Sequence, residues 1–209
     1  MDALFLDRDG VININRSDHV KSWDQFAFVA GALSALRRLR AAGVPIVIVT
    51  NQAVIGRRMV EQEVVEDIHR RLRRAVEWAG GQVLDILYCP HAPEDNCNCR
   101  KPQPGLLIEA AGRHGFDLSR CGLVGDAVTD ILAGQAVGCT TVMVRTGRGK
   151  DQFQVAASMT LSDFHVSTDL SDAVDWLLVR HQDVGATVTS PLPLTLGNEQ
   201  VEAGVHASN

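Results

Sequence analysis

The stretch ALFLDRDGV, residues 3–11, joins an apolar run to two aspartates, Asp7 and Asp9, that are separated by one residue. An uninterrupted apolar run of this length is typical of a strand buried on both faces, and such strands are typical of parallel sheets. Two carboxylates held close together repel each other, which is costly unless a cation lies between them. The end of the first strand is therefore predicted to hold a metal ion.

Outward from this stretch, apolar and β-branched runs alternate with segments of helical periodicity. The predicted strands cover 3–6, 45–49, 83–88, 121–125 and 140–144, with a weaker one near 159–166. The predicted helices cover 31–42, 60–79, 105–114, 128–137 and 170–180. This alternation indicates an α/β fold with a doubly wound, Rossmann-like parallel sheet flanked by helices, in which the crossovers are right-handed.

The length of 209 residues suits one domain with a sizeable core. We place this domain at 1–182 and expect a mostly disordered tail at 183–209, where Gly, Pro, Thr and Ser occur without periodicity. The net charge of −5 and the dispersed basic residues argue against nucleic acid as a partner. The arginines of RRLRRAV, residues 70–76, alternate with apolar positions and are interpreted as a solvated helix face.

The expected location is the cytoplasm. The sequence has no run that approaches the ~18 apolar residues of a membrane span, and Met1 leads directly into the first strand. The number of cysteines is five, which does not suit a secreted disulfide framework. We expect a monomer that binds a small phosphorylated molecule and has neither a nucleic-acid nor a membrane partner.

Polar residues follow the predicted strands at the edge where parallel sheets bind their ligands. The first strand is followed by Asp7 and Asp9, the second by TNQ at 50–52, and the fourth by GDAVTD at 125–130. Lys101 lies just before the helix at 105–114. Carboxylates, a hydroxyl, an amide and a lysine at one sheet edge are suited to phosphoryl transfer.

Each of these groups has a chemical role to fill. A carboxylate such as Asp7 can attack phosphorus and form an aspartyl-phosphate, while Asp9 can transfer protons. Thr50 can donate to phosphoryl oxygens, and Lys101 can neutralise the charge that develops on them. The predicted oxygen ligands of Mg²⁺ include a backbone carbonyl and come from Asp7, Asp9 and Asp126.

A second metal site is predicted in a loop at 89–99. Its spacing, C-x-H-x5-C-x-C, suits a closed tetrahedral Zn²⁺ site of the structural kind, with the ligands Cys89, His91, Cys97 and Cys99. The alternatives are a set of buried free thiols, which the polar PEDN segment disfavours, and a catalytic zinc, for which four protein ligands leave no open position. Zinc would order this loop and fix Arg100 and Lys101 over the mouth of the site.

Taken together, the motifs resemble the haloacid dehalogenase superfamily over about residues 3–149. They are DRDGVIN (7–13), TNQ (50–52), CPHAPEDNCNCRKPQPG (89–105) and VGDAVTD (124–130), and they are similar to those of the zinc-loop subfamily. That subfamily contains heptose 1,7-bisphosphate 7-phosphatases and histidinol-phosphate phosphatases. The resemblance implies a capless fold, Mg²⁺ and Zn²⁺ as cofactors, catalytic Asp7, Asp9, Thr50 and Lys101, and substrate contacts from Asn51, Arg57 and Arg100.

Three functions remain open on the sequence. The first is hydrolysis of the 7-phosphate of D-glycero-D-manno-heptose 1,7-bisphosphate, the second is the same chemistry on histidinol phosphate, and the third is a zinc-stabilised binding scaffold without activity. Departures from the subfamily pattern at Ala53, Val54, Arg58 and Ala127 bear on the substrate. For Asp130 we keep three roles open, which are to hold a metal-bound water, to orient Lys101 or to cap a helix.

Overall fold

The computed structural model describes residues 1–186, and its centre is an open sheet of six parallel strands. The strands are β1 (Leu4–Leu6), β2 (Ile46–Asn51), β3 (Asp85–Cys89), β4 (Gly122–Gly125), β5 (Thr140–Val144) and β6 (Phe164–Ser167). Their order in the sheet is β3-β2-β1-β4-β5-β6, which is the order of the Rossmann fold. The predicted doubly wound parallel sheet is therefore confirmed.

Helices cover both faces of the sheet. They are α1 (Ala32–Ala41), α2 (Ala53–Gly56), α3 (Gln62–Trp78), α4 (Gly105–His114), α5 (Val128–Gln135), α6 (Gly149–Ser158) and α7 (Leu170–Ala186). Short 3-10 helices lie at Trp23–Gln25, Pro93–Asp95 and Leu118–Arg120. Among the described helices, none has the length and apolar character that would let it cross a membrane.

Four features differ from the sequence prediction, and the first is the short helix α2, which the sequence does not predict. The sequence does not predict α6, because only Gly149 and Ala156 of this helix are fully buried and its apolar periodicity is weak. The last strand begins at Phe164 rather than near 159, since Thr160 and Asp163 have positive φ angles that turn the chain. The final helix continues to Ala186, beyond the predicted domain end at 182, and the remainder of the predicted tail, 187–209, lies outside the described residues.

Alternation along the central strands builds a core on each side of the sheet. Leu4 and Leu6 of β1 point to one face, where they pack with residues of α1, α3 and α7, while Phe5 points to the other face and packs with residues of α4. Among the arginines of 70–76, which lie on α3, Arg73 is half-buried and the others are exposed, while Leu72 and Val76 are buried against the sheet. Both faces of the sheet are thus covered, as the apolar runs predict.

The carboxyl ends of β1, β2 and β4 meet at one place. In the register of the sheet, Leu6 is paired with Ile48 of β2 and with Val124 of β4. The amide of Asp7 donates to the carbonyl of Val124 at 2.9 Å, so the chain leaves β1 directly beside the end of β4. Since connections run to opposite sides from β1, a crevice opens here, and it is the expected place for a ligand.

No additional domain covers this crevice in the described part of the chain. Between β1 and α1 the chain forms a loop with one 3-10 helix, and between β2 and α4 it forms α2, α3, β3 and the cysteine-rich loop. In the described residues the crevice is therefore bordered by loops and by the first turns of α2 and α5 without a cap domain, as the resemblance implies.

Candidate active site

A cavity of about 720 Å³ opens at the carboxyl edge of the sheet. All seven of the predicted catalytic and substrate-binding residues line it, namely Asp7, Asp9, Thr50, Asn51, Arg57, Arg100 and Lys101. These residues come from four separate stretches of sequence, and the parallel sheet brings them together because its strands all end at one edge.

Lys101 is the central cation of the site, and its side chain is almost fully buried. Its Nζ atom lies 2.8 Å from Oδ1 of Asp7, 2.5 Å from Oδ1 of Asp130 and 2.7 Å from the carbonyl oxygen of Val49. Burial lowers the pKa of this lysine, but Asp130 and Asp7 outweigh burial and raise the pKa above its usual value. The ammonium group is therefore charged and is fixed beside the first aspartate.

Three buried carboxylates form a cluster suited to a divalent cation. Oxygen atoms of Asp7, Asp126 and Asp130 all lie within 4.8 Å of one another. Burial raises the pKa of Asp7 to about 7, Lys101 opposes this shift, and the other two carboxylates add to it. Hard oxygen ligands whose mutual repulsion a cation would relieve fit Mg²⁺.

The backbone next to this cluster leaves no room for a side chain. A Cβ atom on Gly10, which has φ of +90°, would lie 2.1 Å from Oδ2 of Asp126. A glycine is needed at this position both for its backbone conformation and for the close approach of the carboxylate. The DRDG segment thus places its backbone directly against the acidic cluster.

Arg148 is a component of the site that the sequence reasoning does not identify. Its backbone N–H donates to Oδ2 of Asp126 at 2.8 Å, and its Nη2 donates to Oδ1 at 3.2 Å. Burial raises the pKa of Asp126 and Arg148 opposes the shift, which remains upward. A signal was available, since RTGRG follows β5 as the other polar clusters follow their strands.

Asp9 has a different environment from Asp7. Its carboxylate accepts two hydrogen bonds from Nη2 of Arg8, at 3.1 and 2.8 Å, one from Asn13 at 2.9 Å and one from Gln52 at 2.9 Å. Burial raises the pKa of Asp9, but Arg8 and these hydrogen bonds outweigh burial and hold the pKa below its usual value. This carboxylate lies outside the cluster of three, so the predicted coordination of magnesium by Asp9 stays a prediction.

A buried arginine contacts Asp9, and a buried histidine contacts this arginine. Arg8 is buried almost completely, and its Nη1 donates to Nε2 of His69 at 3.0 Å. Burial, and then the positive charge of Arg8, lower the pKa of His69 to about 3 against the opposing effect of Asp9. The sequence does not predict this contact, because the two residues are 61 positions apart and His69 belongs to no motif, although Arg8 lies within DRDGVIN.

Thr50 and Asn51 lie at the end of β2 and differ in what their side chains do. Thr50 is buried against the cavity, where its hydroxyl oxygen accepts a hydrogen bond from Gln52 at 3.0 Å. Asn51 bonds to the backbone of Lys101 with both ends of its amide, at 3.0 and 3.1 Å. The predicted contact of Asn51 with substrate stays a prediction, and in this structure its side chain fixes Lys101.

The mouth of the cavity is basic. Arg57 lies directly after α2 with Nη1 at 3.5 Å from Nε2 of His19, and Arg16, Arg100 and Arg148 also line the cavity. Arg100 donates to the carbonyl oxygen of His91 at 3.3 Å, which ties it to the cysteine-rich loop. This concentration of positive charge favours an anionic ligand.

The cysteine-rich loop brings its four predicted ligands together within 4.8 Å, and they are Cys89, His91, Cys97 and Cys99. Neighbouring sulfur atoms lie 3.4 and 3.5 Å apart, and Nδ1 of His91 lies 3.3 Å from Sγ of Cys99. A tetrahedron with Zn–S bonds of about 2.3 Å has edges of roughly 3.8 Å, so the donor set fits zinc. Burial raises the pKa of Cys97, but hydrogen bonds from Cys99 and Cys89 outweigh it and lower the pKa to about 7.

Comparison with known proteins identifies relatives of this arrangement. A model of HAD-hydrolase-like proteins matches residues 98–173. The D-glycero-β-D-manno-heptose-1,7-bisphosphate 7-phosphatases of Pseudomonas aeruginosa and Neisseria meningitidis are 44% and 43% identical over 146 and 150 residues. These matches cover 70% and 72% of this chain and 82% and 80% of the relatives. The chain belongs to the heptose-bisphosphate phosphatase family of haloacid dehalogenase-like hydrolases.

A solved structure supports the same assignment for this phosphatase. The crystal structure of D,D-heptose 1,7-bisphosphate phosphatase from B. bronchiseptica, complexed with magnesium and phosphate, matches with a TM-score of 0.81 and 36% identity. The match covers 86% of this chain and 99% of that chain. The predicted superfamily, the phosphatase class and the parallel fold are therefore confirmed.

His69 should make the phosphatase less stable in acid. Because its pKa is about 3 in the folded state and near 6.5 when unfolded, the unfolded chain binds an extra proton as the pH falls from 6.5 towards 3. We expect the free energy of unfolding, measured in urea between pH 7 and pH 4, to fall more steeply for the natural protein than for His69→Gln. The control is a His165→Gln variant, which changes a histidine that does not contact Arg8. Parallel curves for the natural protein and His69→Gln would contradict the low pKa of His69 in the folded state.

Proposed function

We propose that this phosphatase removes the 7-phosphate of D-glycero-β-D-manno-heptose 1,7-bisphosphate through an aspartyl-phosphate on Asp7. The observation that carries the reaction type is the buried contact of Lys101 with Asp7 at the sheet edge, in a cluster of carboxylates that fits Mg²⁺. The names and the magnesium and phosphate complex of the relatives described above support the substrate and the cofactor.

In the first step, an oxygen of Asp7 attacks phosphorus and the bond between phosphorus and the sugar oxygen breaks. Lys101 and the hydroxyl of Thr50 stabilise the negative charge on the phosphoryl oxygens. Asp9 gives its proton to the departing sugar oxygen, which leaves as an alcohol. Arg8 favours the charged form of Asp9, while an anionic substrate nearby favours the protonated form that this step needs.

In the second step, water attacks phosphorus and the bond between phosphorus and Asp7 breaks. The ionised Asp9 takes a proton from this water, so that phosphate is released and both aspartates return to their starting states. Mg²⁺, when bound, neutralises the phosphoryl charge, and its ligands would be side chains of Asp7 and Asp126 with Asp9 contributing through its backbone carbonyl. Asp130 orients Lys101 through their ion pair.

The basic mouth provides the substrate preference. A sugar bisphosphate carries a second phosphate that remains bound while the first reacts, and Arg57 and Arg100 lie where such a group would enter. The loop-walled cavity is large enough for a seven-carbon sugar with two phosphates. Histidinol phosphate has a cationic amine in place of the second phosphate and is poorly matched to this charge.

The cysteine-rich loop is proposed to bind one structural Zn²⁺. Lys101 follows the last ligand, Cys99, by two residues, so zinc would restrict the segment that delivers the central cation. We place the phosphatase in the cytoplasm, where reducing conditions keep three closely spaced thiols available to the metal.

The substrate is tested by phosphate release with Mg²⁺ from both anomers of heptose 1,7-bisphosphate, histidinol phosphate and a simple alkyl phosphate. We expect kcat/KM for the bisphosphate to exceed that for histidinol phosphate and the alkyl phosphate by at least about tenfold, since only a bisphosphate engages both ends of the site. The ratio between the two anomers reports how the site treats the configuration at the 1-phosphate. Phosphorus NMR of the product should show that the 1-phosphate remains. A preference for histidinol phosphate would reassign the substrate, and metal-loaded protein that hydrolyses none of the esters would support the scaffold.

Replacing the nucleophile should abolish turnover without unfolding the protein. We expect Asp7→Asn to lower kcat by at least roughly 10⁴-fold, because the amide cannot form the covalent intermediate. Circular dichroism and urea unfolding report whether the fold is kept. Asp24→Asn makes the same chemical change at an exposed position and should retain full activity. An active Asp7→Asn variant would exclude Asp7 as the nucleophile.

Removing one thiolate should release the zinc. We expect Cys97→Ser to lower the metal content from about one zinc per chain towards zero and to lower the melting temperature, because three ligands bind less tightly than four. Zinc is measured by inductively coupled plasma mass spectrometry. Cys121→Ser changes a buried thiol outside the cluster and should keep its zinc. Full zinc content in Cys97→Ser would contradict the four-ligand site.

A further inference from the structure

Arg8 connects the side chain of Asp9 to helix α3. One end of its guanidinium, Nη2, contacts both carboxylate oxygens of Asp9, and Nη1 donates to Nε2 of His69 on α3. The arginine is buried almost completely, so its charge and its N–H groups depend on these partners. Its position is consequently determined by His69 on one side and Asp9 on the other.

The contact fixes the protonation state of His69. A guanidinium group has only donors, so Nε2 must accept the hydrogen bond and the imidazole must be neutral. A second set of contacts holds the ring, since the centroid of Tyr88 lies 5.2 Å from that of His69 and the hydroxyl of Tyr88 donates to Oε1 of Glu66 at 3.0 Å. The acceptor is therefore held in place by neighbours on α3 and β3.

This arrangement leaves Asp9 little freedom. Both oxygens of its carboxylate accept from the same Arg8 nitrogen, and each receives a further bond, Oδ1 from Asn13 and Oδ2 from Gln52. Because one nitrogen supplies both bonds, Arg8 fixes the orientation of the carboxylate only if its guanidinium group cannot rotate. In the described part of the chain, His69 is the side chain that accepts a hydrogen bond from Nη1, the other terminal nitrogen of Arg8.

We propose that His69 is a positioning residue of this phosphatase, which anchors Arg8 so that Arg8 holds the Asp9 carboxylate in the orientation required for proton transfer. The inference rests on the proposed role of Asp9 as the acid and base. His69 itself does not touch the substrate, and its effect reaches the reaction through Arg8.

The two chemical steps need Asp9 to different degrees, depending on the leaving group. An alkyl phosphate such as a sugar phosphate needs a proton on its leaving oxygen, whereas p-nitrophenolate departs as an anion. Water must lose a proton in the second step whatever the substrate. A misplaced Asp9 should therefore slow phosphorylation by a sugar phosphate but not by p-nitrophenyl phosphate, and should slow dephosphorylation in both cases.

The test uses His69→Leu, which removes the Nε2 acceptor and puts an apolar side chain in its place on the helix. Single-turnover release of p-nitrophenolate, with enzyme in excess and Mg²⁺ present, reports phosphorylation alone. We expect this rate constant to stay within about twofold of the natural value, while steady-state kcat falls roughly tenfold to a hundredfold. With the heptose bisphosphate, both the single-turnover rate and kcat should fall, and KM should change little.

Three variants make the result specific. Ile68→Val weakens the packing of the same helix without removing an acceptor and should leave both rates near their natural values. His69→Gln offers a carbonyl oxygen as acceptor and should restore much of kcat. Asp9→Asn must show the same separation of the two rates in stronger form; if it does not, the proposed role of Asp9 fails, and the inference about His69 that rests on it fails as well.

The inference is overturned if His69→Leu lowers both rates equally, lowers neither, or behaves as Ile68→Val does, while Asp9→Asn shows the separation. Melting temperatures establish that each variant is folded at the assay temperature. If His69→Leu does not fold, Arg8→Lys replaces it, since lysine keeps the charge but cannot bridge the two partners. The same separation of rates is then expected, and a uniform loss would contradict the inference.

Discussion

The buried ammonium group of Lys101 is the interaction on which the active site depends. It lies between Asp7 and Asp130 and also donates to the carbonyl of Val49, so one cation joins the ends of β1 and β2 to the start of α5. Removing three charges from water is costly, and the cost is offset only while the ion pairs keep their geometry. The same geometry places a positive charge beside the proposed nucleophile. Stability and chemistry thus impose the same constraint on these strand ends.

The cysteine-rich loop helps to hold Lys101 in this position. Lys101 has no strand or helix of its own, and its backbone is fixed by the amide of Asn51 on one side and by the loop that ends at Cys99 on the other. Long loops lack the repeated hydrogen bonds that define strands and helices, and a metal supplies the missing restraint. The proposed zinc site therefore stabilises the position of Lys101, although the charged group of this lysine acts in the active site and not in the loop.

The two aspartates of DRDG differ because their surroundings differ. Burial and neighbouring carboxylates raise the pKa of Asp7, whereas Arg8 and two amide donors lower that of Asp9. Environments that move two neighbouring carboxyl groups in opposite directions are a recognised means of giving them separate roles. Here the difference comes from the side chains around each aspartate. Lys101, which is paired with Asp130, contacts Asp7, whereas Arg8, which is bonded to His69, contacts Asp9.

The sequence by itself determined the parallel sheet, the edge at which the polar groups collect and the cysteine and histidine cluster, because apolar runs, strand ends and ligand spacing are local properties of the chain. Only the tertiary structure decided that the carboxylate of Asp130 lies with those of Asp7 and Asp126 and that Asn51 bonds to the backbone of Lys101. The contacts of Arg148 with Asp126 and of His69 with Arg8 were likewise visible only there. Helix α6 also escaped prediction, since few of its residues are buried. The physical reason is common to all of these cases. Burial and ion pairing depend on which distant segments come into contact, and no local periodicity of the sequence records that.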